Sequence, residues 1–175
     1  MFAEDVTMPK SPDPERQLAC FIAKFTPDVA ELAEAILNQM RKRYPTALEL
    51  VYDNYNALAI GFSPTERASD GIFSIALYPK WVSLFFLQGA SLPDPAKLLK
   101  GSGKVAKHIV LSNLAMLDDP GVKALMNAAV ARARVPFDPK GAHRLIIKAV
   151  SAKQRPRRPA ATAAIKRKPA KKATA

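Results

Sequence analysis

The chain has 175 residues, 49% of them hydrophobic and 24% charged, with a formal net charge of +12, so it can bury a core without disulfides or metals. Its longest apolar run, over residues 81–87, is too short for a membrane span, and residues 1–30 indicate no secretory signal. The single cysteine, Cys20, rules out an internal disulfide and favours the reducing cytoplasm. Its place between Leu18 and Phe21 on a predicted helix leads us to expect a buried thiol.

The positive charge is concentrated at the C-terminus. Residues 151–175 hold nine basic residues and no acidic one, whereas residues 1–150 hold eighteen basic and fifteen acidic residues. The Lys/Arg/Ala/Pro-rich composition from Ser151 onward predicts a disordered tail, behind a flexible lead-in of residues 1–13 and a domain of residues 14–150. The cations of the tail are Lys153, Arg155, Arg157, Arg158, Lys166, Arg167, Lys168, Lys171 and Lys172.

Three amphipathic helices are predicted. Apolar residues recur at every third or fourth position over residues 14–25 and again over residues 27–44. Thr26 offers a capping hydroxyl to the second helix, and Pro45 ends that helix. The third helix follows residues 118–120, two aspartates and a proline, which suit the start of a helix.

Between the second and third helices the hydrophobic period changes to two, which indicates strands. Links rich in turn residues join the first four strands, so we expect an antiparallel meander. A short helix is expected over residues 92–99, and residues 145–147 form either an edge strand or a docked extended segment. The predicted fold class is therefore α+β, an antiparallel sheet of about five strands covered by N- and C-terminal helices. The predicted strands span residues 47–52, 57–62, 72–78, 81–87 and 108–112.

Several motifs resemble those of YdhG-like domains, a bacterial family of unknown function. The motifs are residues 84–89 (Leu-Phe-Phe-Leu-Gln-Gly), 92–95 (Leu-Pro-Asp-Pro), 98–104 (Leu-Leu-Lys-Gly-Ser-Gly-Lys) and 117–120 (Leu-Asp-Asp-Pro). Their order and spacing match, and the resemblance covers residues 14–133. It implies a compact α+β fold with an antiparallel sheet covered by helices. Some relatives are described as frataxin-like iron chaperones, and most have no assigned activity.

The chain departs from that family in two places. Many relatives carry a Gly-Met-Pro-like turn after the first strand, where residues 53–56 here read Asp-Asn-Tyr-Asn. Frataxin-like chaperones present a dense acidic helix face, since iron prefers hard oxygen ligands. The second helix here offers only Asp28, Glu31 and Glu34 before three basic residues. We therefore predict no cofactor and no metal site.

A lysine-rich loop surrounds a Gly-Ser-Gly turn. Glycine lets a backbone approach an anion closely, and neighbouring lysines add positive charge. The spacing differs from that of a phosphate-binding loop, so the segment is either an anion contact or an architectural turn. The residues concerned are Lys97, Lys100, Gly101, Ser102, Gly103, Lys104 and Lys107.

Aromatic residues cluster in the sheet region. On an antiparallel sheet they could stack bases, as RNA-recognition sheets do. The alternation around Trp81 and Phe85 favours the other interpretation, ordinary packing in the core. Tyr52 and Tyr55, beside a polar turn, are the candidates to line a ligand pocket.

No catalytic constellation can be assembled from the residue types present. His108 and His143 are the two histidines, and neither has a second soft ligand at metal-binding spacing. We therefore expect a non-catalytic binding or adaptor domain with no membrane partner.

The tail carries the main functional signal. It resembles the Lys/Ala/Pro tails of linker-histone-like bacterial proteins, which implies non-specific binding to phosphates with release of counterions. The other interpretation is a solvated tail that only raises solubility. We expect a cytoplasmic, nucleoid-associated protein whose tail binds nucleic acid. The alternative function is a small-ligand or iron-chaperone-like metal-binding domain with an incidental tail.

Overall fold

The computed structural model describes residues 12–160, which form three α-helices and a six-stranded sheet. The helices are α1 (Pro14–Ile22), α2 (Pro27–Arg43) and α3 (Pro120–Ala131). The strands are β1 (Leu48–Asp53), β2 (Leu58–Ser63), β3 (Phe73–Leu77), β4 (Val82–Phe86), β5 (Lys107–Leu111) and β6 (Arg144–Val150). None of the helices in this range has the length and apolar character that crossing a bilayer requires.

The sheet is mixed and has the strand order β5-β4-β3-β2-β1-β6. Strands β1 to β5 form the predicted antiparallel meander. Strand β6 pairs parallel with β1, placing Leu145 opposite Glu49 and Ile147 opposite Val51. The expectation of five antiparallel strands is thus corrected to six mixed strands. The parallel pairing joins segments far apart in the sequence, so no local turn signal marks it.

Two of the three helices begin at an aspartate cap, and the one before α3 lies in the segment that the sequence predicts for it. Asp13 accepts a hydrogen bond from the Glu15 N–H at the start of α1, and Asp119 accepts from two N–H groups at the start of α3. The Thr26 side chain makes no capping hydrogen bond, so that predicted cap is wrong. Asp118 instead pairs with Arg43 of α2 at 3.0 Å.

The short helix expected over residues 92–99 does not form. The Asp94 carboxylate accepts hydrogen bonds from the N–H groups of Leu98, at 2.9 Å, and Leu99, at 2.8 Å. Lys97 has a φ of 54°, a conformation that an α-helix does not contain. An aspartate that bonds the backbone in this way stabilises a turn in place of a helix.

All three helices contribute to a core on one face of the sheet, formed with alternate strand residues such as Ile60, Ile75 and Leu84. Helix α1 buries Leu18, Phe21 and Ile22. At 100° per residue Cys20 points to the opposite side of α1, and its thiol is exposed, so the expectation of burial was wrong.

Two acidic residues of β1 are buried on the helix-covered side of the sheet, and both are paired. Glu49 is fully buried and accepts two hydrogen bonds from the Arg41 guanidinium, at 2.6 and 2.8 Å. The His143 Nε2 atom lies 2.9 Å from the same carboxylate. Asp53 is 1% exposed and binds the Lys24 ammonium at 2.9 Å.

Residues 151–160 continue the folded domain, although the sequence placed the start of a disordered tail at Ser151. The Ser151 N–H donates to the Asp53 carbonyl at 2.8 Å. The Arg157 guanidinium, 5% exposed, donates to the Asp53 carboxylate at 2.7 Å and lies over the Phe25 ring. This segment docks through polar contacts, which leave no hydrophobic pattern to detect. The remainder of the predicted tail and lead-in lies outside the described residues.

The pKa of Asp53 reflects this docking. Burial alone would raise the pKa of the carboxyl, but hydrogen bonds with Gln154, Lys24 and Arg157 outweigh burial and hold the pKa below its ordinary value of 3.8. Asp53 therefore stays ionised at neutral pH and attaches the C-terminal segment to β1.

Candidate nucleic-acid interface

The sheet face opposite the helices, here called the open face, carries no carboxylate from any of the six strands. Side chains alternate along a strand, and those facing the helices form the core. The strands contain two acidic residues, Glu49 and Asp53, which lie two positions before and two positions after the core residue Val51. Both therefore face the helices, where each is ion-paired. Two cations of β6, Arg144 and Lys148, alternate with its helix-facing residues. Arg144 pairs with Glu66 of the β2–β3 loop, and Lys148 donates to the Glu66 carbonyl, so Lys148 is the β6 cation that has no carboxylate partner among residues 12–160.

Two stacked aromatic pairs stand on the open face. Tyr78 and Trp81 flank the β3–β4 turn with ring centroids 4.9 Å apart and an interplanar angle of 21°. Phe85 of β4 stacks on His108 of β5 at 4.9 Å and 29°. Trp81 is 43% exposed, which is unusual for the largest apolar side chain. Val82, Leu84 and Phe86, which alternate with Trp81 and Phe85 along the chain, pack against the helices. Both stacked pairs therefore lie on the opposite face.

A strip of small residues lies between the two stacks. Ala59 pairs with Ala76, and Ala76 pairs with Ser83 across β2, β3 and β4. The Ser83 hydroxyl is buried and has no hydrogen-bond partner among the described residues. An unpartnered buried hydroxyl costs about 1–3 kcal/mol. Ala76 and Ser83 are 5% and 1% exposed, so the strip is a low row of nearly buried side chains between the two stacks, with the exposed Val110 at its β5 end.

Lys100 extends this face beyond β5. Its N–H and carbonyl exchange hydrogen bonds with those of His108, at 2.7 and 3.0 Å, as an isolated antiparallel bridge. Directly opposed residues in an antiparallel pair project from the same face. The exposed Lys100 side chain therefore stands beside the Phe85–His108 stack, and it has no ion-pair partner in the part of the chain that the structure describes.

The rest of the lysine-rich loop forms a turn whose contacts require both of its glycines. Gly101 has a φ of 106°, which other residues rarely adopt, and its carbonyl accepts a hydrogen bond from the Lys107 ammonium at 2.6 Å. A Cβ at Gly103 would lie 2.7 Å from the Ala106 carbonyl oxygen. These contacts supply the architectural reason for both glycines. Exposed around the turn are Lys97, Ser102 and Lys104.

Tyr52 and Tyr55 lie in different surroundings. Tyr52 pairs with Ala59, which places it on the open face at the β1 end of the small-residue strip. Tyr55, in the β1–β2 turn, is 50% exposed, and the Arg155 guanidinium lies 5.8 Å from its ring centroid. Tyr52 thus extends the aromatic character of the open face, whereas Tyr55 receives the docked C-terminal segment.

The predicted tail cations divide into two groups. Arg157 is occupied by Asp53, and Arg158 donates to the Lys24 and Ala23 carbonyls of the body, at 3.3 Å each. Outside the described residues lie Lys166, Arg167, Lys168, Lys171 and Lys172. Arg157 is therefore a structural residue, and Lys153, which is exposed, is better placed for a ligand.

A separate cavity of about 460 Å³ lies between the end of α3 and the loops that flank β3 and β4. Ile72, Leu92 and Ala129 are among its apolar lining residues. At its rim the Arg132 guanidinium donates to the Ser91 carbonyl, and Arg134 pairs with Asp70 at 2.7 Å. Hydrogen bonds from Thr65 and Arg134 lower the pKa of Asp70. The lining of the cavity is mainly apolar, and the two arginines at its rim are bonded to other groups of the protein.

Metal-binding geometry is not found among residues 12–160, where no three His, Cys, Asp or Glu side chains form a group suited to an ion. Asp28, Glu31 and Glu34 are exposed along α2. His143 is directed at Glu49, and His108 at the Phe85 ring.

Comparisons with known proteins leave the site to be judged on its own residues. No family model, curated protein or solved structure matches this chain. The function is therefore inferred from the composition, geometry and charge of the chain itself.

Sequence reasoning missed Trp81, Phe85 and His108 as members of one surface. Both phases of β4 are largely apolar, so alternation alone could not show which phase the helices cover. The expectation that Trp81 and Phe85 pack in the core is corrected, because Val82, Leu84 and Phe86 fill those positions. One signal was available: the uncovered phase of all six strands lacks acidic residues.

Proposed function

We propose that this chain is a non-catalytic, YdhG-like binding domain that holds nucleic acid non-specifically through its C-terminal cations and the adjoining basic surface. The observation that carries the proposal is the separation of charge. Both strand carboxylates are neutralised on the helix side, whereas within residues 12–160 the cations Lys100, Lys153, Arg155 and Arg158 have no acidic side chain as a partner. A phosphate backbone gains free energy by releasing counterions to such a surface without any base being read. A cytoplasmic, nucleoid-associated location follows from this proposal.

Fluorescence anisotropy with a labelled DNA duplex across a salt series tests the proposal. The eight tail cations other than Arg157 give an expected log–log salt slope of up to about −7. A chain that ends at Ala160 keeps Lys153, Arg155 and Arg158, and its slope should fall to about −3.

The matched control is the full chain with its five cations beyond Ala160 replaced by glutamine, which should behave like the shortened chain. Equal slopes for all three proteins would assign binding to the folded surface alone. Absence of binding by the full chain near 0.15 M salt would contradict the proposal.

The cavity between α3 and the β3–β4 flanks supports a second candidate, a small-ligand-binding domain with an incidental tail. Its volume, about 460 Å³, is within the range of small-molecule pockets, and its apolar lining is typical of them. A ligand-dependent rise in the melting temperature of the chain ending at Ala160, lost on Ala129→Trp, would favour this candidate. Iron binding, part of the same alternative, has no cluster of oxygen ligands in residues 12–160 to support it.

A further inference from the structure

We infer that the open face binds single-stranded nucleic acid by stacking bases on Trp81 and Phe85. This inference rests on the proposed nucleic-acid function and names the form of the ligand and the surface that receives its bases. The proposed tail contacts recognise only phosphate charge, which single and double strands share. The open face adds a reason to prefer single strands.

Two aromatic rings of the open face stand along one stretch of the chain. Trp81 and Phe85 are four residues apart on one extended segment, so their side chains stand about 13 Å apart on the same face. Each already stacks on a neighbouring ring, which holds it in one orientation. Between them lies Ser83, which is 1% exposed and pairs with Ala76 of β3 and with the exposed Val110 of β5, so small and aliphatic side chains separate the two rings. Fixed rings on one face suit two unstacked bases of the same strand.

Exposed lysines lie beside both aromatic stacks. Lys80 lies in the turn between Tyr78 and Trp81, and Lys100 stands beside the Phe85–His108 stack. Both lysines are exposed and have no ion-pair partner among residues 12–160. Each aromatic stack therefore has one exposed lysine next to it. Asp28 and Glu31 of α2 line the same pocket as Lys80 and Trp81, so a strand whose bases lie on the rings places its phosphates toward Lys100.

Rings of this kind favour single strands over duplexes. Bases in a duplex are already stacked and cannot lie flat on a protein ring, whereas the bases of a single strand are accessible. A duplex can therefore use only the cations of this chain. Because every base has a flat π-face, the stacking is tolerant of sequence, which agrees with non-specific binding.

Trp81 is the single tryptophan of the chain, so its fluorescence reports directly on this face. A labelled 12-nucleotide oligothymidylate should quench Trp81 to saturation, with the same midpoint as the anisotropy of the label. A duplex of similar length should raise the anisotropy of its label while leaving Trp81 largely unquenched. Inorganic polyphosphate, a polyanion without bases, should displace the oligonucleotide and restore the fluorescence.

Two variants remove the rings in turn. Phe85→Ala keeps the reporter, and Trp81→Ser removes a ring that is 43% exposed, with circular dichroism used to check that each variant is folded. Each should weaken oligothymidylate binding by about 5- to 150-fold, and duplex binding by less than about 2-fold. Val150→Ala, which removes an exposed apolar side chain from β6, at the opposite edge of the sheet from β5, is the matched control and should bind like the parent.

The outcomes separate the two proposals. Binding of oligothymidylate without quenching, and with no loss in Trp81→Ser, would overturn the stacking inference and leave the tail-based function standing. Absence of binding to either nucleic acid would overturn both. A change in Trp81 fluorescence on dilution of the protein alone, with a dimer in sedimentation, would assign the open face to a second copy of the chain and overturn the inference.

Discussion

A chain that ends at Val150 is expected to unfold at a markedly lower temperature than a chain that ends at Ala160. The shorter chain loses the Arg157 guanidinium and leaves the Asp53 carboxylate, which is 1% exposed, with Lys24 as its remaining cation. Removing one partner of a buried ion pair costs about 3–5 kcal/mol, and because Lys24 remains we expect about 3 kcal/mol. For a domain of this size that is a decrease in melting temperature of about 6–12 °C.

The pH dependence of this difference identifies its source. The pKa of Asp53 is lower in the folded protein than in the unfolded chain, so the pair stabilises the fold fully above about pH 4, the pKa of an unfolded aspartate. That contribution is lost as the pH falls through the lower, folded-state pKa. The stability gap between the two chains should therefore shrink on acidification below pH 4.

Single substitutions serve as controls for the truncation. Arg157→Gln in the full chain should reproduce most of the destabilisation. Arg158→Ala, which removes hydrogen bonds to exposed carbonyls only, should change the free energy of unfolding by less than about 0.5 kcal/mol. Equal melting temperatures for the chains ending at Val150 and Ala160 would show that residues 151–160 do not stabilise the domain.

Arg41→Ala is the second change expected to have a large effect. The Arg41 guanidinium donates two hydrogen bonds to Glu49, which raises the pKa of Arg41 and neutralises a fully buried carboxylate. Without it, Glu49 keeps His143 as its polar neighbour. A buried carboxylate that loses its cation should reduce the free energy of unfolding by about 3–5 kcal/mol, measured by urea denaturation.

The asymmetry of this pair gives a sharper test. Glu49→Gln should cost less than Arg41→Ala, because the Arg41 side chain is 30% exposed and can still reach water and Glu15. Arg43→Ala, which removes a pair with the half-exposed Asp118 and a hydrogen bond to the Leu117 carbonyl, should cost no more than about 1–2 kcal/mol. A loss below about 1 kcal/mol for Arg41→Ala would contradict the structural role given to Glu49.

The elements that the sequence predicted correctly are those with local signals. Helices α1, α2 and α3 have apolar stripes and prolines at their first turns, and β1 to β5 are bounded by turn residues. The pairing of β6 with β1 depends on a contact between distant segments, which no window of sequence records. The same reason hid the docking of Arg157 on Asp53, since an arginine in a basic, proline-containing segment looks identical whether it is solvated or buried.

The candidate site was predictable only in its charge. The lysine-rich loop and the basic C-terminal residues were identified from composition, and Lys100 does lie at the edge of the open face. The aromatic rings were recognised as a cluster, but their side of the sheet depends on where the helices pack. Both sets of alternate residues in β4 are largely apolar, so its sequence does not show whether the set with Val82 or the set with Ser83 faces the helices. In the structure the helices cover the set with Val82.

Photo-crosslinking of an oligothymidylate that carries 5-iodouracil, followed by mass spectrometry of the crosslinked peptides, tests the central claim most directly. If the open face receives the bases, crosslinks should map to the segment from Tyr78 to Phe85 and to the peptide around His108. Polyphosphate should suppress these crosslinks, and Val150→Ala, a change at the far edge of the sheet, should leave them in place. Crosslinks confined to residues beyond Ala160, or to the exposed sides of α1 and α2, would contradict the claim that bases stack on this sheet.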